Sequence, residues 1–329
     1  MRVKLIGVDI GGTKCAVSLG ETAGRGGVRL LERGPARATA GLAAREMLAL
    51  LAEDAQRLCA GAGDAPAAVG ISCGGPLDSR AGLILSPPNL PGWDAVPVTG
   101  FFEKRLGLPA FLCNDANAGA LAEWRMGAGR GCENMIFMTF GTGLGAGLIL
   151  NGKLYEGACD FAGETGHIRL AEHGPVGYGK IGSFEGFCSG GGIAQLAADL
   201  VRAEQQRGGR PALCPTPQDL PGLTAEKVGR AAKQGDALAK AILAESGRML
   251  GRGLAILIDL LNPERIVIGS IFVRSRGELW PAAREVLEKE ALPAALATCA
   301  VVPAGLTESV GDLAALTVAA YRLERQKEG

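Results

Sequence analysis

The sequence lacks an excess of charge of either sign, since 34 Lys and Arg residues balance 34 Asp and Glu residues. Without a basic surplus, we expect no binding to nucleic acid or to an anionic membrane surface. A long uninterrupted apolar run is also missing. The longest, near residues 254–261, contains Asp259 and ends at Asn262-Pro263, so it is too short to span a bilayer. The first residues show no basic segment, apolar segment and cleavage site in succession, so we expect no signal peptide.

Paired cysteine motifs are absent as well. The nine cysteines are scattered along the chain, and no C-x-x-C or C-x-C pair occurs. This pattern argues against a disulfide framework and favours reduced thiols packed as small apolar side chains. We therefore expect a cytoplasmic protein.

The 329 residues suffice for two domains. Strand and helix patterns alternate along the chain, and two segments have the pattern strand, glycine turn, strand. We predict two α/β lobes with a central cleft. The first lobe comprises residues 1–119 plus about 308–329, and the second comprises about 120–307.

The first glycine turn follows the apolar segment Leu5–Ile10 and reads Gly11-Gly12-Thr13-Lys14. Asp9 stands near the end of the first strand. Glycine lets backbone N–H groups approach an anion closely, while Thr13 adds a hydroxyl and Lys14 a charge. The turn suits a nucleotide phosphate with its magnesium ion, but taken alone it predicts an ordinary hairpin equally well.

The second turn, Gly141-Thr142-Gly143, lies between two further apolar strands. A strand and not a helix follows it, so the dinucleotide fingerprint is a poor match, and the Gly-Lys-Ser/Thr end of a P-loop is missing. Two glycine hairpins with hydroxyls at Thr13 and Thr142 predict two loops that bind the same polyphosphate. The alternative is a glycine-rich bulged hairpin.

Several polar residues outside the turns are candidates for chemistry. Asn114-Asp115 stands where a strand meets a helix, which predicts either a helix cap or a general base. Glu164 and His167 lie three residues apart in a glycine-rich segment, although a lone histidine is more often structural. Glu185 precedes a helix and is equally consistent with a carboxylate favoured by the helix dipole.

Five motifs together resemble the ROK family of sugar kinases and sugar-responsive repressors, within the actin/hexokinase-like, ribonuclease H-like ATPase superfamily. They occur in the family's order and spacing, and the likeness runs from about residue 3 to 322. The motifs are Asp9–Lys14, Pro88–Trp93, Asn114–Asn117, Gly141–Gly145 and Ala162–His167.

The resemblance implies a role for each matching residue. Asp115 would be the catalytic base. The residues expected to bind the sugar are Gly75, Asn89, Asn114, Asp115, Glu164, His167 and Glu185. Those expected to surround ATP and its Mg²⁺ are Asp9, Gly11, Gly12, Thr13, Lys14, Gly141, Thr142, Gly143 and, near the base or ribose, Gly269.

The chain departs from the family at its zinc motif. The family's three cysteine positions are occupied by Val176, Tyr178 and Ser183, which leaves His167 as the remaining ligand type, whereas a structural zinc site needs four. We predict no structural zinc, with Tyr178 and Phe184 forming an apolar cluster in its place. The family's late Gly-Gly-Gly is Gly269-Ser270-Ile271 here, so a phosphoryl donor other than ATP stays open.

These observations predict an ATP-dependent hexose kinase acting on glucose or on an N-acetylhexosamine such as N-acetylmannosamine or N-acetylglucosamine. The expected partners are the sugar and the nucleotide, and the resemblance implies a homodimer. The alternative is a catalytically idle sugar-binding or sensing protein of the same family. The family's repressors carry an N-terminal helix-turn-helix, whereas this sequence starts directly at the phosphate strand, so we expect no DNA-binding role.

Overall fold

A computed structural model describes residues 2–306 and 310–328. The strands are β1 (Lys4–Ile10), β2 (Lys14–Thr22), β3 (Val28–Arg33), β4 (Arg37–Ala38), β5 (Val69–Cys73), β6 (Leu77–Asp78), β7 (Leu83–Ile84), β8 (Val96–Pro97), β9 (Ala110–Asn114), β10 (Met135–Phe140), β11 (Leu144–Leu150), β12 (Lys153–Tyr155), β13 (Val176–Gly177), β14 (Lys180–Ile181), β15 (Arg265–Ile268) and β16 (Ala300–Pro303). The helices are α1 (Ala44–Gly61), α2 (Val98–Leu106), α3 (Asp115–Met126), α4 (Phe184–Phe187), α5 (Gly190–Gln206), α6 (Ala225–Lys233), α7 (Ala237–Leu261), α8 (Ile271–Glu290), α9 (Pro293–Leu296) and α10 (Val310–Glu328).

The chain divides into two compact units. The first contains Met1–Glu133, Gly147–Ala162 and Gly305–Gly329, and the second contains Asn134–Ala146 and Gly163–Ala304. The lobes expected from the sequence stay a prediction, and their boundary at residues 307 and 308 lies outside the described residues.

The first unit is built on a sheet of order β3-β2-β1-β5-β9, with β4 beside β2. β1 is antiparallel to β2 and parallel to β5, which is in turn parallel to β9. Side chains alternate across β1. Ile6, Val8 and Ile10 face a core shared with α1, while Leu5 faces a second cluster with Leu316 of α10. Both faces of the sheet are thus covered.

Glycines in the strands allow α10 to lie directly on this sheet. A Cβ on Gly70 of β5 would come within 2.0 Å of the Ala315 carbonyl oxygen, and one on Gly7 of β1 within 3.0 Å of Leu316. Because any side chain there would push the helix away, these glycines set the close approach of helix to sheet.

The second unit contains the parallel strands β10, β15 and β16 and the helices α4 to α9. α7 and α8 pack together closely, since Cβ atoms on Gly247 and Gly251 would lie 2.3 Å from the carbonyl oxygens of Leu279 and Ala283. Strand β11 begins in this unit and continues into the first, where it is antiparallel to β12.

The sequence patterns also predict a strand from residue 148, a helix from residue 277 and an irregular stretch over residues 155–192. β11 begins earlier, at Leu144, because the alternate residues Leu144, Ala146 and Leu148 are buried, and α8 begins earlier, at Ile271. The expected irregular stretch contains the short elements β13, β14 and α4. Helix α2 has no counterpart in the sequence prediction, and its sequence contains an internal glycine and few buried side chains. No described helix combines the length and apolarity needed to cross a membrane.

Candidate functional site

The first glycine turn closes a regular hairpin. Ile10 of β1 is paired with Cys15 of β2, and the Gly11 N–H donates to the Lys14 carbonyl (3.1 Å). Buried Thr39 braces the turn: its hydroxyl donates to the Gly11 carbonyl (2.6 Å) and its N–H to the Thr13 carbonyl (3.0 Å). The side chains of Thr13 and Lys14 are exposed. The turn is therefore rigid in its backbone and accessible at its tip.

Gly12 has a steric reason to be glycine. A Cβ there would lie 2.7 Å from the Asn89 carbonyl oxygen and 2.8 Å from the Asn89 Cβ. The proline-rich loop that carries Asn89 is anchored by Leu90 and Trp93, which are both buried. The sequence-predicted residues Gly12 and Asn89 are thus in contact, and their contact is backbone against backbone.

Asn114 and Asp115 share the junction between β9 and α3. Asn114 is the helix cap, because its Oδ1 accepts hydrogen bonds from Ala116 (2.9 Å) and Asn117 (3.4 Å). One Asp115 oxygen accepts from the Ala116 N–H (2.8 Å). The cap interpretation is therefore confirmed for Asn114.

The carboxylate of Asp115 is accessible but surrounded by protein. The residue is exposed, so a substrate can reach it. The protein around it nevertheless limits its hydration, which raises its pKa, while the Ala116 N–H partly offsets this effect. A raised pKa in an accessible carboxylate is the property expected of a general base.

Gly74 joins these residues, although the sequence analysis did not assign it to the site. A Cβ on Gly74 would lie 3.5 Å from Asn89 Nδ2 and 3.8 Å from Asp115 Oδ2. The amide and the carboxylate therefore face the same small volume beside Gly74. The predicted residue Gly75 follows Gly74 in the chain. A Cβ placed on Gly75 would lie 3.2 Å from Asn114 Nδ2.

Asp9 is crowded by negative charge. Its pKa is raised to about 6, chiefly by burial and then by the nearby carboxylates of Asp312 and Asp115, while Lys14 and Arg33 lower it. Asp312 on α10 forms an ion pair with Arg33 (3.0 Å). Sequence reasoning missed Asp312, whose only signal was an acidic residue in the first turn of the last helix.

The second glycine turn is supported by different neighbours. The Gly141 N–H donates to the Gly143 carbonyl (3.0 Å), and the Gly141 carbonyl accepts from Gly190 N–H (2.7 Å) at the start of α5. Glu185 Oε2 accepts from the Leu144 N–H (3.0 Å), and a Cβ on Gly143 would lie 2.8 Å from the same oxygen. Glu185, predicted to bind sugar, thus supports the turn in this structure.

Gly269 and Ser270 lie beside this turn because the parallel strands β10 and β15 end at the same edge of the sheet. The Gly269 N–H donates to Met138 (2.9 Å), and Ser270 Oγ is 3.7 Å from the Cβ position of Gly141. Ser270 has a left-handed backbone with φ 51°, which is unusual for a residue other than glycine. Ser270 and Gly190 are neighbours of the turn that sequence reasoning did not assign to the site.

Glu164 and His167 are exposed on either side of buried Thr165 and Gly166, in and next to a 3-10 turn of residues 165–167. Gly166 packs on β11, where a Cβ would lie 2.1 Å from the Leu144 carbonyl oxygen. This contact places Glu164 and His167 near the residues that follow the second turn. The His167 ring stacks edge-on against Tyr178, with 6.3 Å between ring centroids.

The segment that replaces the family's zinc motif is a hydrogen-bonded hairpin. β13 pairs with β14, and the Ser183 hydroxyl caps α4 by accepting from Gly186 N–H (3.1 Å). Phe184 is fully buried, whereas Tyr178 is 67% exposed. The predicted apolar cluster of these two residues is therefore wrong, because only Phe184 enters the core. Among residues 2–306 and 310–328, no group of three or more His, Cys, Asp or Glu side chains could hold a metal ion.

Solved structures share this fold along nearly the whole chain. A ROK hexokinase from Thermus thermophilus has a TM-score of 0.81 at 30% identity, over 99% of this chain and 100% of that one. A ROK glucokinase from Streptomyces griseus, solved with glucose and AMPPNP, has a TM-score of 0.75 at 30% identity, over 97% and 99%. The chain thus has the two-domain, actin-like ATPase fold of these kinases, as predicted.

The family follows from the sequence comparisons. The ROK family model matches residues 5–321, and the glucokinase of Thermotoga maritima is 32% identical over 324 residues, covering 98% of this chain and 99% of that protein. The Escherichia coli repressor Mlc is 30% identical over 231 residues, which are 69% of this chain and 54% of the repressor. The chain belongs to the ROK family, and its kinase relatives identify it as a carbohydrate kinase.

Proposed function

We propose that the protein transfers the γ-phosphoryl group of ATP to a hydroxyl of glucose or of an N-acetylhexosamine, with Asp115 as the general base. The observation that carries this proposal is the convergence of Asp115 Oδ2 and the Asn89 amide beside Gly74. A sugar has both hydroxyls that an amide can orient and a hydroxyl that must lose its proton as it attacks phosphorus.

The raised pKa of Asp115 supports this role. A carboxylate that holds its proton more tightly than usual is a stronger base once it is ionised. The Ala116 N–H engages one carboxylate oxygen and so orients the other. The amide nitrogen of Asn114 would donate a hydrogen bond to the sugar, since the amide oxygen caps α3.

The first glycine turn is proposed to bind the phosphates of ATP. Its exposed Thr13 and Lys14 supply a hydroxyl and a positive charge, and Gly11 and Gly12 let the backbone approach the anion. Gly141, Thr142 and Gly143, with Gly269, are proposed to serve the same nucleotide. Glu164, His167 and Glu185 are proposed to bind sugar hydroxyls, although Glu185 also holds Leu144.

Asp9 is the protein carboxylate that suits magnesium carried by ATP. The negative charges of Asp312 and Asp115 act on Asp9, and a hard cation prefers carboxylate and phosphate oxygens as ligands. When bound with ATP, Mg²⁺ would neutralise phosphate charge during transfer. Asp9 is the residue proposed to hold it, directly or through water.

The runner-up function is a sugar-binding or sensing protein without catalysis. The match to the repressor Mlc favours it, because repressors of this family share the sugar-kinase region with this chain. A sensor has no need for a base beside the sugar, however, and Asp115 is present with its pKa raised. We therefore place the kinase first.

A coupled ADP-release assay over a panel of hexoses and N-acetylhexosamines tests the proposal. We expect sugar-stimulated turnover that falls by about 10²–10⁴-fold in Asp115→Asn, because the amide cannot accept the proton. Asp64→Asn, an exposed aspartate outside the site, is the matched control and should keep full activity. Sugar binding in calorimetry without turnover on any sugar would instead establish the sensor.

We also propose a homodimer in the cytoplasm. Large apolar side chains are exposed on the second unit, at Ile256, Leu260 and Leu292, and the sequence contains no C-x-x-C or C-x-C pair. Light scattering after size exclusion should give twice the chain mass, and Leu260→Asp should reduce it. A monomeric mass for the unaltered chain would contradict the dimer.

A further inference from the structure

A cavity of about 480 Å³ lies within the first unit, and none of the proposed catalytic or nucleotide-binding residues lines it. Residues 110–112 of β9 form one wall, the segment 154–160 a second and Arg322 of α10 a third. β9 is the edge strand of its sheet. The volume falls within the range of small-molecule sites, about 300–1,000 Å³.

Ion pairs and hydrogen bonds hold the walls in place. Arg322 and Glu156 form an ion pair whose side chains are only 26% and 20% exposed. Asp160 accepts hydrogen bonds from both the N–H and the hydroxyl of Ser79 (2.8 Å each). These partners come from segments far apart in sequence, so the cavity is formed before any ligand arrives.

The chemistry of the lining selects a neutral ligand rich in hydroxyls. Arg80 and Arg322 balance Glu156 and Asp160, so the cavity carries no net charge to attract an anion or a cation. The carboxylates of Glu156 and Asp160 and the guanidinium of Arg322 retain lone pairs and N–H groups that can form hydrogen bonds with the hydroxyls of a ligand. Tyr155 lines the same cavity and is 51% exposed, which offers an aromatic face to the C–H surface of a sugar ring.

We propose that this cavity is a second carbohydrate site, which binds a neutral mono- or disaccharide at a place separate from Asp115. Its walls continue into the proposed active site. β9 ends at Asn114, directly before Asp115, and the turn at Ser79 follows Gly74 and Gly75 closely. A sugar held between β9 and Arg322 would therefore contact the strand that ends at the Asp115 junction, and we expect it to change the rate of phosphoryl transfer.

The binding part of this inference stands apart from the kinase function, whereas the effect on rate rests on it. Calorimetry and saturation-transfer NMR with glucose, N-acetylglucosamine and sucrose, without nucleotide, provide the test. We expect two classes of site in the unaltered protein. Asn89→Ala should remove the catalytic class and leave the second.

Tyr155→Ala should weaken the second class by about tenfold or more, while Tyr155→Phe, which keeps the ring, should retain it. Both variants should keep the melting temperature of the unaltered protein, since Tyr155 is half exposed. A single class of site in the unaltered protein would overturn the proposal. So would a second class that Tyr155→Ala leaves intact, or one that binds glucose 6-phosphate better than glucose.

Failure of the kinase proposal gives a different result. A protein without turnover on any sugar, in which the Tyr155-dependent site still binds glucose, would refute the kinase and support the second site. The reverse result is sugar-dependent turnover together with a single class of binding site, which is lost in Asn89→Ala. That result would support the kinase and refute the second site.

Discussion

The two glycine turns have similar sequences but different supports. The turn at Gly11 and Gly12 rests on backbone, since the Asn89 carbonyl lies where a Gly12 side chain would be. The turn at Gly141 and Gly143 rests on the start of α5 and on one flexible side chain, Glu185. A glycine pattern that predicts a phosphate site thus leaves open whether the turn is rigid or adjustable. Tertiary contacts determine which it is.

The charge around the turns differs as well. Asp9, next to the first turn, lies near Asp115 and Asp312, and its pKa is raised to about 6. At the second turn, Glu185 accepts a hydrogen bond from a backbone N–H. The first turn therefore stores electrostatic repulsion that a cation can relieve.

Among changes near the two turns, Asp9→Asn is expected to have the largest effect on activity. We expect activity to fall by about 100-fold or more, because the proposed charged ligand for Mg²⁺ is lost. The free energy of unfolding should, in contrast, increase. The folded pKa of Asp9 exceeds its unfolded value, so its ionised form disfavours folding at neutral pH.

Removing that charge should therefore stabilise the protein by about 1–2 kcal/mol at pH 8 after allowance for solvent screening. The gain should shrink as the pH is lowered through about 6, where the folded carboxylate takes up its proton. Denaturant unfolding of the variant and of the unaltered protein at pH 8 and pH 5 measures the gain in stability at each pH. Equal gains at the two pH values would show that the charge of Asp9 is not the cause.

The pH profile of activity is the next largest effect. Asp9 and Asp115 must both be ionised in the proposed reaction, and both have a raised pKa. We expect kcat/KM to fall at least about tenfold per pH unit below about pH 6. Recovery of activity after return to pH 7.5 controls for unfolding, and a flat profile down to pH 5 would contradict the assignment.

Alanine in the two turns compares their supports directly. Gly12→Ala should cost about 1–3 kcal/mol, since the new Cβ meets the backbone of Asn89 and the anchored loop must move. Gly143→Ala should cost less than about 1 kcal/mol, because the end of the Glu185 side chain can shift aside. Denaturant melts of both variants measure the difference. Equal costs would remove the distinction between a rigid and an adjustable turn.

Thr39→Val removes a single hydrogen bond that supports the first turn. The valine keeps the shape but loses the hydrogen bond to the Gly11 carbonyl, which should cost about 1 kcal/mol. The KM for ATP should rise more than kcat falls, because the turn becomes looser while Asp115 is untouched. Ser189→Ala, which removes the cap of α5 beside the second turn, is the matched comparison.

Local features of the fold were predictable because their causes are local. Apolar strands broken by glycine, the Asn114 cap before α3 and the tight turn at Asn151-Gly152 each depend on a few neighbouring residues. Five motifs in order also sufficed for the family. The early start of α8 and the unpredicted helix α2 show the limit, since tertiary packing overrides weak local preference.

The sequence by itself determined the strand–glycine–strand units, the balanced charge and the residues that resemble a sugar kinase, because composition and short-range pattern carry that information. Tertiary structure alone placed Gly74 between Asn89 and Asp115, and Asp312 near Asp9. It also turned Glu185 toward the second turn and formed the open cavity beside Arg322. These contacts join residues far apart in the chain, and only packing of complete elements brings such residues together.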